Sequence, residues 1–315
     1  FNASHALSYA YDSVYGAYAK AHYPFEFYTV MLQHYADKGN KDKVIAFKHE
    51  MLEFAGIKEG AYKFGLDNRK FTMDKKNGVI HPSLSSIKGF SQTVAALLYE
   101  LGRQRYKDFL EVLMALKECG ISDAKIQDLI NIEYFSDYGD IKYLMRYLEV
   151  FNQFRTGKGF LKTLKKEKGF LLKVDFDMIR RHCESETVKT FSGLDSISII
   201  KECMAGVKVR TTNKEKLLRR REVLGYCDVI DKKYSGYCMV VEINTKYAPR
   251  FSLYALANGG ITDVKIPKKF YTTSITMDSI VQVIDSDYVP KLKWIDGDWV
   301  KQPEKEWIVS KYKVY

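Results

Sequence analysis

No apolar run in this 315-residue sequence approaches the ~20 residues that a membrane-spanning helix requires, so a membrane partner is not expected. A signal-peptide pattern is also missing. The first residue is Phe1 rather than Met, and we read a soluble piece of a longer chain. Cysteine pairs of the Cys-x-x-Cys kind are lacking. The five cysteines, Cys119, Cys183, Cys203, Cys227 and Cys238, are an odd number, which argues for reduced thiols in a cytoplasmic protein and against a disulfide framework. His182-Cys183 with Cys203 lacks the fourth ligand and the short spacing of a zinc module. Acidic excess is absent too: 50 Lys and Arg stand against 39 Asp and Glu, and a net charge of +11 favours polyanionic partners. What is present is a chain of 36.5 kDa, long enough for two or three domains.

The first stretch is rich in alanine and tyrosine. Asn2 or Ser4 can start a helix by accepting from unpaired backbone N–H groups. His5 and Tyr9 lie four apart and share a face that Asp12 and Gly16 continue, while Leu7, Tyr11, Tyr15 and Tyr18 form a second, apolar stripe. Taken alone, these residues describe a capped, half-buried helix. Pro24 suits the first turn of a second helix with Phe27, Val30, Met31 and Tyr35 inward. Asp42 opens a third, with Val44, Phe47, Met51, Leu52 and Ala55 inward, and Gly56 closes it. Phe71 to Ile80 alternates into and out of Asn77-Gly78, a strong hairpin signal.

Phe1-Asn2-Ala3-Ser4-His5-Ala6, with Tyr9 and then Ala17-Tyr18-Ala19-Lys20-Ala21-His22-Tyr23-Pro24-Phe25-Glu26-Phe27, resembles the fingers of bacterial replicative DNA polymerase III alpha subunits, the C-family DNA polymerases. Those read Phe-Asn-Lys-Ser-His-Ala, a downstream Tyr, then Ala-Tyr-Leu-Lys-Ala-His-Tyr-Pro-x-Glu-Phe. Ala3 replaces the usual Lys and Ala19 the usual Leu. The resemblance implies that Asn2, Ser4, His5, Tyr9 and Lys20 belong to the pocket of the incoming deoxynucleoside triphosphate. The stretch from His81 to Val94, which includes Leu84-Ser85-Ser86-Ile87-Lys88-Gly89-Phe90-Ser91, resembles the family's helix-hairpin-helix, with Ser91 where its second Gly usually stands. Lys88, Gly89 and Ser91 would then meet duplex phosphates beside a helix N-terminus.

Apolar periodicity continues through Leu113, Leu129 and Leu148 as a helical unit. Two basic runs follow. Arg155, Lys158, Lys162, Lys165, Lys166, Lys168 and Lys173 face one acid, Glu167; Lys208, Arg210, Lys214, Lys216, Arg219, Arg220 and Arg221 face Glu215. They read as solvated faces or as a phosphate-tracking surface. The residues between 157 and 216 say least. Arg221-Glu222-Val223-Leu224-Gly225-Tyr226 weakly resembles the family's Lys-Glu-x-Leu-Gly-Phe-Tyr, without the Ser-Gly-His-Pro that follows there. From Tyr237 onward five strand signals, Cys238 to Ile243, Phe251 to Ala257, Ile261 to Ile266, Ile280 to Ile284 and Trp307 to Val314, fit the OB barrel that the family carries near its C-terminus. Tyr247, Phe251 and Tyr254 near the first loop and second strand, and Lys291, Lys293 and Trp294 with Tyr288 and Trp299 near the last loop, fall where OB folds stack bases and track phosphates.

The expected architecture is therefore α+β and multidomain: residues 1–69 the C-terminal part of the fingers, 70–155 a hairpin with the helix-hairpin-helix unit, 156–222 a basic helical connector, and 223–315 an OB-like five-stranded barrel. The resemblance implies the C-terminal half of a bacterial or phage replicative DNA polymerase, binding dNTP, primer-template and single-stranded DNA and the N-terminal half of the enzyme. In the family the palm aspartates that hold Mg2+ precede the opening motif, so Asp137 and Asp140 are not assigned to them, no catalytic residue or metal ligand is expected here, and the isolated chain is expected to be inactive. Two alternatives stay open: a free-standing DNA-binding accessory protein, and a nuclease built on Asp285, Asp287, Asp296 and Asp298. Gln127-Asp128-Leu129-Ile130-Asn131 is a weak candidate for a sliding-clamp peptide.

Overall fold

The computed structural model describes residues 3–315 apart from 158, 173, 229–231, 247, 273 and 296. It is α+β and divides into two compact units, Phe1–Lys41 with Lys58–Lys216, and Asp42–Ile57 with Leu217–Tyr315. The chain opens on three helices, α1 (Ala3–His22), α2 (Pro24–Asp37) and α3 (Lys41–Ala55), the last belonging almost wholly to the second unit.

Within the first unit α1 meets α2 only near its C-terminal end, where Gly16, Ala19 and Lys20 are half-buried. The apolar stripe expected to pack, Leu7, Tyr11, Tyr15 and Tyr18, is instead more than half exposed at every position. In α2 the inward residues are Tyr28 and Leu32; Val30, expected in the core, is 65% exposed, because the buried face is rotated toward Tyr28 from the stripe read in the sequence. A small sheet follows, with β1 (Lys58–Glu59) parallel to β3 (Val79–His81) and β2 (Thr72–Asp74) antiparallel to β3. Its hairpin turns where expected: Gly78 adopts φ +69°, and Asp74 accepts from the Asn77 backbone N–H at 3.1 Å.

Next come α4 (Gln92–Gly102), α5 (Phe109–Glu118), α6 (Asp123–Asn131) and α7 (Ile141–Phe154). Each begins at a side-chain cap, Ser91, Asp108, Ser122 or Asp140, whose oxygen accepts a backbone N–H of the first turn. Phe109 meets Phe135 and Tyr147 edge to face at centroid distances of 5.4 and 5.7 Å, and Phe64 packs tilted against Phe135 at 5.4 Å. The stretch that the sequence left nearly blank holds β4 (Arg155–Thr156) paired with β5 (Gly159–Phe160), then β6 (Thr163–Lys165), α8 (Lys166–Leu171), α9 (Phe176–Arg181), β7 (Ser185–Glu186), β8 (Thr190–Ser192) and α10 (Ser196–Ala205). The sheet order β6-β8-β7 buries Leu164 and Phe191. Helix α11 (Asn213–Leu224) starts in a capping box: Thr212 accepts from Glu215 N at 3.3 Å and Glu215 accepts from Thr212 N at 2.9 Å.

The second unit is a closed barrel of β9 (Tyr237–Asn244), β10 (Arg250–Ala255), β11 (Ile261–Lys265), β12 (Ile280–Ile295) and β13 (Asp298–Val314), in the circular order β10-β11-β13-β12-β9. All neighbours are antiparallel except β11 and β13, which pair in parallel at Val264 with Trp307 and Lys265 with Ile308. This is the Greek-key closure of an OB fold. Val240, Phe251, Leu253, Val264, Val281 and Val309 fill its interior. The last two strands do not end with the barrel. They continue as a two-stranded arm to the pair Ile295 with Asp298, so residues 285–306, expected as loop, are mostly strand.

Candidate nucleic-acid and nucleotide interface

Four places in the described residues carry the side chains singled out by sequence. On α1, Ser4, His5 and Tyr9 are exposed, and His5 meets Tyr9 edge to face with ring centroids 4.7 Å apart. Helical spacing sets that contact, since positions four apart stand one above the other. Lys20 lies four turns on, half-buried toward α2. Asn2 lies outside the described residues. The face can therefore offer an imidazole and a phenol side by side to a ligand.

The second place is the turn before α4. The first helix of the expected pair is a single 3-10 turn, Leu84–Ser86, capped by the buried Ser83, whose hydroxyl accepts from Ser85 N at 3.3 Å. Ser83, Ser85 and Ser86 compete with the backbone for hydrogen bonds and keep this turn short. Gly89 takes φ +88°, which a residue with a Cβ rarely adopts, and it turns the chain so that Lys88 is exposed beside the start of α4. Ser91 accepts from Val94 N at 3.3 Å, leaving its hydroxyl proton to donate outward. The exposed N-terminus of α4 with Lys88 is a place where backbone amides and one cation converge.

The basic runs are less open than the sequence suggested. Arg180 and, less strongly, Lys166 hold Glu186, whose carboxyl is pulled down to about 2 by these partners. Lys216 pairs with Glu133 at 2.6 Å and Lys142 with Glu215 at 2.7 Å. In the second unit Arg220 is paired with Asp228, and Arg221 with Asp278 and the Val240 carbonyl, its guanidinium lowered from the ordinary value by burial. Much of the second run is thus structural. Lys158 and Lys173 lie outside the described residues.

In the barrel two sequence expectations are overturned. Phe251 is 2% exposed and belongs to the interior core, and Tyr254 is likewise 2% exposed, packed with Leu217, Met239 and Leu256. Phe251 faces the interior core, and Tyr254 on the opposite side of β10 is covered by Leu217 of α11 and by His49 of α3, whose ring lies 6.2 Å from that of Tyr254. Neither ring can stack on a base. Tyr247 lies outside the described residues. The outer wall of β9, β10 and β11 carries Glu242, Asn244, Arg250, Ser252 and Asp263 around a shallow depression. Its cations are engaged by Glu306, with Arg250 at 2.8 Å and Lys265 at 3.3 Å, and Ser252 donates to Asp263 at 2.6 Å.

Tyr288, Trp294, Trp299 and Trp307 are exposed on the arm. Cross-strand partners share a face, so Tyr288 with Trp307, Pro290 with Lys305, Leu292 with Lys301, and Trp294 with Trp299 stand on one side. Lys293, Val300, Ile295 and Asp298 stand on the other, where Lys291 also pairs with Glu304 at 2.7 Å. Trp294 and Trp299 are 57% and 64% exposed, and their rings meet edge to face at 5.3 Å. Tyr288 and Trp307 form the second pair at 5.1 Å. Lys291 and Lys293, expected beside Trp294, thus lie across the ribbon from it. Lys301 and Lys305, which the sequence reading missed, share its side.

Carboxylates do not assemble into a metal centre: among the described residues no group of three His, Cys, Asp or Glu side chains could hold an ion. Asp140 is occupied capping α7 and accepting from the Thr211 backbone N–H at 2.9 Å, and Asp137 pairs with Lys63 at 2.9 Å. Asp285 accepts from Ser310 at 2.6 Å, and Asp296 lies outside the described residues. The clamp-peptide candidate is part of α6 with Leu129 and Ile130 fully buried, so it is core and not an exposed linear motif. No helix among the described residues is long and apolar enough to cross a membrane.

No family model matches the chain. Curated relatives do. DNA polymerase III subunit alpha of Ureaplasma parvum serovar 3 is 30% identical over 141 residues, 44% of this chain and 14% of that protein. The subunit of the same name from Aquifex aeolicus is 33% identical over 109 residues, 35% of this chain and 9% of its own length, and that from Mycoplasma genitalium is 28% identical over 155 residues, 45% and 17%. The matched stretches thus span less than a fifth of the relatives' length. Over a third to nearly half of its residues this chain is similar to DNA polymerase III subunit alpha, the protein whose fingers the opening motif resembles.

Proposed function

We propose that the chain is a portion of a replicative DNA-directed DNA polymerase, a nucleotidyltransferase, that forms one wall of the incoming-dNTP pocket and grips DNA. The observation that carries this reading is the exposed His5 and Tyr9 pair on α1, standing within a motif that resembles the polymerase fingers. In that role His5 faces phosphate, where an N–H donor stabilises the charge that builds during phosphoryl transfer. Tyr9, one turn along, lies against sugar or base. Lys20 adds positive charge to the same helix. The Lys88-Gly89 turn and the N-terminus of α4 hold duplex phosphates without reading bases. In this reading the divalent cations of the reaction are held by carboxylates outside this chain, and the partners are primer-template, dNTP and the remainder of the polymerase.

The test is steady-state kinetics of a reconstituted complete polymerase. His5→Ala should lower kcat/KM for nucleotide by about tenfold, ~1.4 kcal/mol of lost transition-state interaction, with primer-template affinity unchanged. A variant that melts earlier but keeps its kinetic constants would make the pair structural.

A further inference from the structure

The contact of β11 with β13 is short. The two strands pair only at Val264 with Trp307 and Lys265 with Ile308, after which β11 ends and β13 runs on to Val314. Over that last stretch β13 keeps β12 on one side, through pairs such as Val283 with Tyr312 and Gln282 with Lys313, while among the described residues no strand pairs with its other side. The loop that follows β11 stands there instead. Its described mooring runs through a side chain: the Tyr312 hydroxyl donates to the Phe270 carbonyl at 2.8 Å and accepts from the Thr272 N–H at 3.0 Å. Between loop and strand lies an open groove of about 580 Å³, lined by Phe270, Thr272 and Ser274 and by the consecutive residues from Ser310 to Val314. Consecutive side chains leave a strand on opposite faces, so what a run of them presents to one groove is the strand's edge, with its backbone N–H and C=O groups.

The surroundings carry one sign of charge. Tyr312 packs toward the barrel core, so its neighbours Lys311 and Lys313 project outward, and Lys268 and Lys269 are exposed on the loop. Among the described residues no carboxylate lines the groove. Asp285, across from Lys311 on β12, accepts from Ser310 at 2.6 Å. The nearby rings each have a lysine on one face, Lys269 over Phe270 and Lys313 over Tyr315, both at 4.6 Å from the centroid.

We propose that the open edge of β13 is a docking site for an extended acidic peptide of a partner protein, which adds as a further strand and sets carboxylates two residues apart against Lys311 and Lys313. In strand addition the backbone supplies affinity and alternate side chains supply selectivity, and opposite charges directly across two strands attract. The stretch from Val309 to Val314 offers about 20 Å of edge, enough for a short extended segment. Nucleic acid fits less well, because the edge presents amides and carbonyls in the spacing of a peptide and the rings beside it are already engaged by lysine. A second copy of the chain would bring the same lysines against these. Lysines on an edge can also keep other strands away, but that role needs no groove alongside. The inference does not depend on the polymerase reading.

Fluorescence anisotropy of the full chain with a labelled decapeptide of alternating glutamate and threonine tests the assignment. The wild type should bind it, and should bind the glutamine-threonine counterpart at least about tenfold more weakly. Lys311→Ala together with Lys313→Ala should weaken binding about tenfold, whereas Lys293→Ala with Lys301→Ala, the same loss of charge on the arm, should leave it unchanged. The glutamate peptide N-methylated at every residue keeps its carboxylates but cannot donate to a strand edge, and should not bind. Thermal melts confirm that the variants remain folded, which exposed positions permit. Equal binding of the N-methylated peptide or equal losses from the two lysine pairs would reduce the contact to general charge and overturn the proposal. So would an oligodeoxythymidylate that displaces the peptide and depends as strongly on Lys311 and Lys313, since the site would then be a phosphate surface. A wild type that binds no peptide while the Lys311 and Lys313 variant self-associates on size-exclusion chromatography would overturn it as well, and would make the lysines guards of the edge.

Discussion

Replacing Phe251 by alanine separates a ring that stacks on a ligand from a ring that holds the barrel closed. The side chain is 2% exposed and packs among Val240, Leu253 and Val264, with the Tyr271 ring 5.8 Å away. A buried phenylalanine removes about 200 Å² from water, which at about 25 cal/mol per Å² is worth ~5 kcal/mol and agrees with the 3 to 5 kcal/mol usual for Phe→Ala in a core. For a unit of this size that should lower the melting temperature by roughly 10 to 20 °C. Differential scanning calorimetry of wild type, Phe251→Ala and Trp294→Ala gives the comparison. The tryptophan is more than half exposed, so its loss should change stability by less than about 0.5 kcal/mol. Oligonucleotide affinity, measured well below the melting transition, should show the reverse ranking. If Phe251→Ala melts like the wild type while losing affinity for single strands, the burial argument is wrong and the ring is available to a ligand.

Gly89→Ala should destabilise the first unit by about 1 to 2 kcal/mol, because φ +88° is unfavourable for a residue with a Cβ although no atom lies near enough to clash; urea unfolding measures it, and duplex affinity should fall with it. The Glu215 carboxyl is held down to about 2 by Lys142 and by the Thr212 backbone N–H and hydroxyl, below the ordinary glutamate value of ~4.3. The folded state therefore gives up its proton more readily than the unfolded chain. The stability this confers is fully present above about pH 4.5 and disappears as pH falls toward 2. Glu215→Gln should consequently lose less of its urea midpoint than the wild type between pH 5 and pH 3. Purified chain with primed template, magnesium and four nucleotides should yield no extension product, and incorporation that survives removal of contaminating polymerase would refute the assignment of catalysis to residues outside it.

Much of the scaffold could be read directly. The Asn77-Gly78 turn and the first three barrel strands follow from local chemistry acting within a few residues, and the structure places them where that chemistry asks. Errors arose where a second element decides. Phe251 and Tyr254 alternate on a strand as though one face were open, and only the packing of α3 and α11 against the barrel closes it. Pro290 and Pro303 interrupt the arm, and proline is a poor strand residue. The pairing tolerates them by shifting register between Pro290 and Leu292, with the extra residues 302–304 on β13. The period-two signal of Tyr288, Leu292 and Trp294 was present throughout. On α1 the amphipathic stripe is real in sequence but is not buried, since only the last turns meet α2.

The parallel pairing of β11 with β13 has a kinetic price. Val264 and Trp307 are far apart in sequence, and closing that loop must precede any reward from the contact. The pairs β9 with β10, β10 with β11 and β12 with β13 can form from local hairpins, but β9 with β12 is also a distant pair, and the ring closes only when the last strand arrives. A chain shortened before Trp307 would leave β11 paired only with β10 and the barrel portion of β12 only with β9, exposing two edges of unpaired amides and carbonyls. Such a product would recruit strands from other chains, so loss of these few residues should appear as aggregation during refolding rather than as a modestly weakened monomer.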